Sequence, residues 1–236
     1  MGSQRGPHPG DASDFGEQAL VGLREAVHDL SWLLGRGYTE TAALKLVGDR
    51  LQLTSRQRKG VLRCAAADDV LIPRLAKQLG ADHLAGHAVA IDAFNVAILL
   101  ERAFGGGAVL IGRDGAVRDV GGVHGTYRLT PQTDAVLRAV GRWLAKRRVS
   151  EVLWLLDRPV SNSGRLAERI RAVGAAGHWP WTAEVVNNPD ADLRAGTAVV
   201  ASSDAWVLDG ADRWCNLAFE VAVTAAGNPW MVDLRY

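Results

Sequence analysis

Three times in this chain an apolar run suited to a buried strand is closed by aspartate, with a turn into a helical pattern directly after. Ala88 to Ile91 ends at Asp92, and Val152 to Leu156 ends at Asp157. Thr197 to Ala201 ends at Ser202-Ser203-Asp204. Short continuous apolar runs separated by helical periodicity are the pattern of strands buried on both faces of a parallel sheet. Two further runs, Ala183 to Val186 and Trp230 to Leu234, fit the same scheme. The expected fold class is therefore α/β, a mostly parallel sheet in a three-layer arrangement. In such a sheet every carboxyl end lies on one edge, where open α/β folds place ligands.

The chain between these runs fills in the scheme. Val96, Leu99, Leu100, Ala103 and Phe104 define a helix after Asp92, and Pro131 to Lys146 is an amphipathic helix. Ser161 to Gly164 opens another, and Asp212 is the expected cap of the last. Ala108 to Ile111 and Ala116 to Val120 flank Arg113-Asp114-Gly115, and the Asp-Gly step predicts a hairpin. Val70 to Leu84 reads as a linking helix interrupted by Pro73.

The first third has a different character. Residues 1–16 are rich in Gly, Pro, Ser and Asp and are expected to be a disordered leader. Residues 17–69 contain three helical patterns, the second capped near Thr39 and the third by Thr54 or Ser55, and form a small all-α module. Residues 70–236 make the α/β domain. Between Gly35 and Cys64 seven basic residues face two acids, although the net charge of the 236-residue chain is only +1. Arg56, Lys59 and Arg63 lie one turn apart on one helix face. They are the candidate phosphate contacts, since clustered cations gain affinity by releasing condensed counterions. The alternative is a solvated helix face.

With 48% hydrophobic and 22% charged residues the composition is that of an ordinary globular protein, and no apolar run reaches membrane-spanning length. No basic start followed by an apolar core marks a signal peptide. Cys64 and Cys215 stand far apart and in no metal-binding spacing, which predicts a reducing, cytoplasmic location. Gly105 to Gly107 lacks the Lys and Ser/Thr of a phosphate-binding loop. His83 and His87 have the spacing of a helical metal pair, but Gly86 and the strand after it argue against a helix there.

The chemistry rests on the acids. No Lys or Arg lies within eight residues of Asp92 on either side, so a buried carboxylate there needs a partner from elsewhere. A single strand-end acid is ordinarily a helix cap. Several on one edge repel, by roughly 4 kcal/mol for a pair about 4 Å apart at an effective dielectric of 20. Hard oxygen ligands of this kind suit Mg²⁺ or Mn²⁺. Asp209, in the segment after Asp204, can reach the same place.

Ile91-Asp92-Ala93-Phe94-Asn95, the strand closing on Asp157, and Ser202-Ser203-Asp204 with Asp209 resemble the PIN and NYN group of metal-dependent ribonucleases. The whole chain is similar in arrangement to a prokaryotic family of unknown function that joins a basic helical module to a PIN-like domain. The resemblance implies a PIN-like fold and hydrolysis of RNA phosphodiester bonds leaving a 5′-phosphate, with single-stranded DNA as a second possible substrate. It makes Asp92, Asp157, Asp204 and Asp209 both catalytic residues and metal ligands, with Asn95 and Ser202 in support. Asp119, Asp190 or Asp192 could supply one of these acids instead. Arg158 and Arg165 would hold flanking phosphates, and Trp179 and Trp181 either stack on bases or pack a corner. The hairpin after Gly107 is not a usual feature of that group. The alternative is a non-catalytic RNA-binding protein on the same fold. A haloacid-dehalogenase-type phosphatase would need an acid where Phe94 stands, and a dinucleotide-binding enzyme a glycine-rich turn where Ala93-Phe94-Asn95 stands.

Overall fold

The computed structural model describes residues 6–121 and 127–236. The N-terminal part comprises helices α1 (Asp11–Phe15), α2 (Glu17–Gly35), α3 (Glu40–Arg50), α4 (Ser55–Cys64) and α5 (Asp68–Ala76). It is followed by β1 (Ala88–Asp92), α6 (Ala93–Phe104), β2 (Val109–Ile111), β3 (Val117–Arg118) and α7 (Pro131–Lys146). Then come β4 (Glu151–Asp157), α8 (Ser163–Ala176), β5 (Trp181–Val186), α9 (Pro189–Ala195) and β6 (Val199–Ala201). Helices α10 (Ala205–Gly210) and α11 (Leu217–Ala225) and strand β7 (Met231–Asp233) complete the chain.

The main sheet is parallel in the order β5-β4-β1-β6. Alternation along β1 sends Val89 and Ile91 to one face and Ala90 to the other. The first face packs on Leu100, Leu137, Val140, Leu166 and Ile170, drawn from α6, α7 and α8. The second packs on Leu193, Val207, Leu208 and Trp214. Helices thus cover both faces, as the apolar runs implied. The predicted hairpin is present as β2 and β3, antiparallel, with Gly115 in the left-handed region at φ +74°. β7 adds to β2 in parallel and makes a second, three-stranded sheet.

Several expectations need correction. Asp11 to Phe15 in the supposed leader is a helix, and Asp11, Asp14 and Phe15 are buried. Its composition looked disordered because the residues that hold it are acids seeking arginines far away in sequence. The helical module packs on the small sheet. Leu23, Val27, Leu30 and Val61 share one core with Leu110, Val232 and Leu234 of the small sheet. Pro73 lies within α5, but the helix ends at Ala76, and a 3-10 turn over Ala81–His83 replaces its expected continuation. His83 and His87 therefore do not share a helix. The last helix starts after Asn216, not at Asp212, because Trp214 and Cys215 first run beside β6, with Cys215 N–H donating to Val200 O at 2.9 Å. Helices α9 and α10 were not anticipated. No helix among the described residues is long and apolar enough to cross a membrane.

Candidate functional site at the carboxyl edge

Strand β1 lies between β4 and β6, and Ile91 pairs with Ala201, which sets Asp92 level with Ser202. Asp92 is 8% exposed and caps α6 through Asn95 N–H at 3.3 Å. Its other oxygen accepts from Ser202 Oγ at 2.8 Å. Ser202 Oγ in turn accepts from Asp204 N–H at 3.1 Å, and Asn95 Oδ1 accepts from Ser203 N–H at 2.8 Å. The two supporting residues read from the sequence therefore tie the β1 and β6 ends together. Asp204 is exposed and caps α10 through Val207 N–H at 3.1 Å. Asp157 ends β4, and Asp190 sits in the first turn of α9, which Pro189 begins.

Four of these carboxylates sense one another. Burial pushes the Asp92 carboxyl up to about 7; Ser202 and Asn95 oppose the rise, while Asp190 and Asp204 add to it. Asp190 is raised by burial and then by Asp204 and Asp157, and Asp157 is raised by burial. Among the described residues none of the four forms an ion pair with Lys, Arg or His. All line a cleft of about 640 Å³ together with Phe94 and Ser203. Ser203 is 3% exposed, yet its Oγ has no hydrogen-bond partner among the described residues.

Across the cleft stand Arg63, Arg74 and Arg118, each held by an acid. Asp209 belongs to this wall. Arg74 Nε and one Nη grip its carboxylate at 2.8 and 3.0 Å, and Lys77 Nζ donates to its carbonyl at 2.8 Å. The sequence placed Asp209 among the ligands, and the structure gives it to Arg74 instead. Asp114 is the centre of the wall, 2% exposed, bonded to Arg74 at 2.6 Å and to Arg118 at 2.7 and 2.5 Å. Burial alone would raise Asp114, but Arg118 and Arg74 outweigh it and bring the carboxyl down to about 2. Asp119 lines the cleft on this side and accepts from Arg63 at 3.0 Å. Asp192 lines a different hollow.

Sequence reasoning missed Arg74, Asp114, Arg118 and Ser203. Asp114 was hidden by its fitness for the turn, and Arg74 by its position beside Pro73. Ser203 carried a signal, since it adjoins two residues already assigned. Arg158 and Arg165 are exposed beyond Asp157, Arg158 donating to Val185 O at 3.2 Å. Trp179 and Trp181 pack a corner: their rings lie 5.1 Å apart, and Trp181 lies 5.1 Å from the buried Trp154. Trp179 also covers Gly141 and Gly177 so closely that a Cβ at either would collide with its ring.

The basic face of α4 is largely spoken for. Arg56 bonds Asp11 at 2.5 Å and Asp14 at 2.6 Å, and Asp11 also holds Arg102 at 2.7 Å. Arg63 is paired with Asp119, which leaves Lys59 exposed and, among the described residues, without an acidic partner. Lys45, Arg50 and Arg58 are likewise paired. Arg56→Ala is therefore expected to destabilise by about 1–3 kcal/mol, because it strips a charged partner from buried acids. It should not alter the salt dependence of oligonucleotide binding. A melt equal to wild type, with a shallower slope of log affinity against log salt, would return Arg56 to the role of a phosphate contact.

Among the described residues no three His, Cys, Asp or Glu side chains converge closely enough to enclose a metal ion. A Mg²⁺ ion does not need such a cage, since it keeps several waters and takes one or two protein carboxylates.

A family model described as a domain of unknown function, DUF5616, matches residues 81–220, and one described as a protein of unknown function, DUF434, matches residues 22–77. The chain is 28% identical over 188 residues to the uncharacterized protein MJ0935 of Methanocaldococcus jannaschii, covering 80% of this chain and 89% of that protein. No solved structure matches.

Proposed function

The chain belongs to the family described as a domain of unknown function, DUF5616, a description that names no chemistry, and from the site itself we propose a divalent-metal-dependent nuclease of PIN-like fold that hydrolyses RNA phosphodiester bonds. The observation that carries this reading is the set Asp92, Asp157, Asp190 and Asp204, gathered in one cleft whose arginines are held by other acids, with none of the four in an ion pair among the described residues. Like charges held together outside any ion pair favour a bound cation. The donors fit Mg²⁺ or Mn²⁺: all are hard oxygens, and the unpartnered Ser203 Oγ adds a neutral one beside them. Asp92 would be the principal ligand, with Asp190, Asp204 and Asp157 as its companions. The parallel sheet with β1 inside it and the acids at its carboxyl edge supports the PIN-like reading.

When bound, the cation would supply a water of lowered pKa and neutralise charge on the phosphate. The chain's own residues do the positioning. Ser202 and Asn95 N–H fix both oxygens of Asp92. Asn95 holds the Ser203 backbone and so the start of the loop that carries Asp204. Arg158 and Arg165, exposed and following Asp157 in sequence, would meet phosphates of a strand leaving the cleft.

The test is cleavage of a fluorescently labelled single-stranded oligoribonucleotide by the full chain with Mn²⁺, with Mg²⁺ and with a chelator. Cleavage that needs the cation and leaves 5′-phosphate ends is expected. Binding without cleavage in either metal would favour the non-catalytic alternative.

A further inference from the structure

Next in α10 after Asp204 and Ala205, which line the cleft, comes a side chain that the core does not use. Trp206 follows Asp204 by two residues and is 52% exposed, while Val207 and Leu208 are the residues that α10 buries. An indole left in water on a short helix forgoes the burial that would stabilise a core position. Yet this ring is held in place. The Arg194 guanidinium carbon lies 3.9 Å from the ring centroid, and Arg194 Nη1 donates to the Trp206 carbonyl oxygen. Gly210 makes the arrangement possible: a Cβ there would lie 2.2 Å from Arg194 Cζ, so only glycine lets the guanidinium lie against α10.

The pair is tied to the site from both sides. Arg194 follows Asp190 by four residues in α9, hence on the same helix face, and Trp206 follows Asp204 in α10. Among the described residues Arg194 has no acidic partner, so its positive charge is not spent. A half-exposed indole, backed on one face by a fixed guanidinium and two residues beyond a carboxylate of the cleft, is a ready surface for another π-system. Nucleobases offer such a face only where they are not already stacked in a duplex.

We propose that Trp206, backed by Arg194, is a stacking platform for an unpaired nucleobase of the strand held at the acid site, which makes single-stranded nucleic acid the substrate class. This rests on the nucleic-acid hydrolase reading of the Asp92 cleft.

The experiment measures equilibrium binding of the full chain, with Ca²⁺ present to neutralise the acids. The probes are a short labelled oligouridylate, an abasic strand of the same length, and the oligouridylate paired in a duplex. Wild type should prefer the single strand to both other probes. Trp206→Ala should weaken binding of the oligouridylate about tenfold, as expected for the loss of one stacked base, and leave the abasic strand unaffected. Trp206→Phe should recover most of the loss. Equal binding of the oligouridylate by wild type and Trp206→Ala would overturn the platform, as would equal losses on both single strands or no binding by wild type at all. A parallel Mn²⁺ cleavage assay separates the two claims. A base-dependent Trp206 effect without cleavage sinks the hydrolase reading alone, while cleavage indifferent to Trp206→Ala sinks the platform alone.

Discussion

Asp92→Asn is expected to abolish metal-dependent cleavage and, in the absence of metal, to make the protein more stable at pH 8. The two effects have one cause. Asp92 is buried, with Asp190 and Asp204 near enough to repel its charge, and its carboxyl stands at about 7 when folded, against roughly 3.9 in an unfolded chain. The folded pKa is the higher one, so between about pH 4 and pH 7 the native state binds the extra proton. Metal-free stability therefore falls as pH rises through that window, and the penalty is complete above about 7. Three units of pKa correspond to an upper bound of about 4 kcal/mol. Asn keeps the cap on α6 through its single carbonyl oxygen, and its amide NH2 then faces Ser202 Oγ and donates to it where the carboxylate accepted, so the change removes the charge and keeps both contacts. For a chain of this size each kcal/mol moves the melting temperature by about 2–4 °C.

Metal works against this ranking. A ligand present at about a hundred times its Kd adds roughly 2.7 kcal/mol to the wild type. The Asn variant should lose most of that gain, and cleavage should fall at least about a hundredfold, as even the partners of metal ligands can cost that much. Melts of both proteins across a Mn²⁺ titration, at pH 5 and pH 8, contain all of these comparisons. Identical metal-induced shifts would end the case for Asp92 as a ligand. A wild type no less stable at pH 8 than at pH 5, relative to the Asn variant, would show that the buried charge is compensated after all.

What could be foreseen followed from local rules. Asp92, Asp157 and Asp204 end apolar runs, and a parallel sheet brings such ends to one edge whatever the loops do. Asn95 and Ser202 were accessible because caps act over three residues and because the Ser202 loop adjoins β1 through that sheet. Asp209 was misplaced for a reason no local rule contains: its partner, Arg74, is 135 positions away. The same applies to Arg56, which looks like one step of a phosphate-binding face until Asp11, 45 positions earlier, claims it. Long-range ion pairs leave no periodicity in the sequence. A charged stripe therefore cannot be told from a set of internal bridges until the chain is folded. The small sheet was hidden in the same way, since Leu110 and Val232 meet through the β2–β7 pairing and, with Leu234, share the core of the helical module.

The arginine wall should prove the most sensitive point of the fold. Among the described residues Asp114 is the one acid that both Arg74 and Arg118 touch, and all three side chains are almost fully buried. Asp114→Asn leaves Arg118 without an acidic partner among the described residues and Arg74 with only Asp209. Removing one side of a buried ion pair costs about 3–5 kcal/mol, because the remaining charge stays desolvated. A drop of about 10 °C in melting temperature is expected. The pH dependence identifies the cause. The folded carboxyl lies at about 2, below the unfolded value near 3.9, so its contribution is complete above about pH 4 and is lost as pH falls toward 2. Wild type should lose stability steeply across that range, while the Asn variant, lower throughout, should lose less. Asp92 acts in the opposite direction and in a higher window, so the two acids can be separated in one pH series. The β2–β3 hairpin carries Arg118 to the cleft, and loosening it should also widen the space facing Asp92. Cleavage by the Asn variant, assayed well below its melting temperature, should then show a raised KM with kcat less affected. An Asn variant that melts within a degree or so of wild type at neutral pH would mean that the two arginines find other partners, and the wall would lose its claim to hold the cleft in shape.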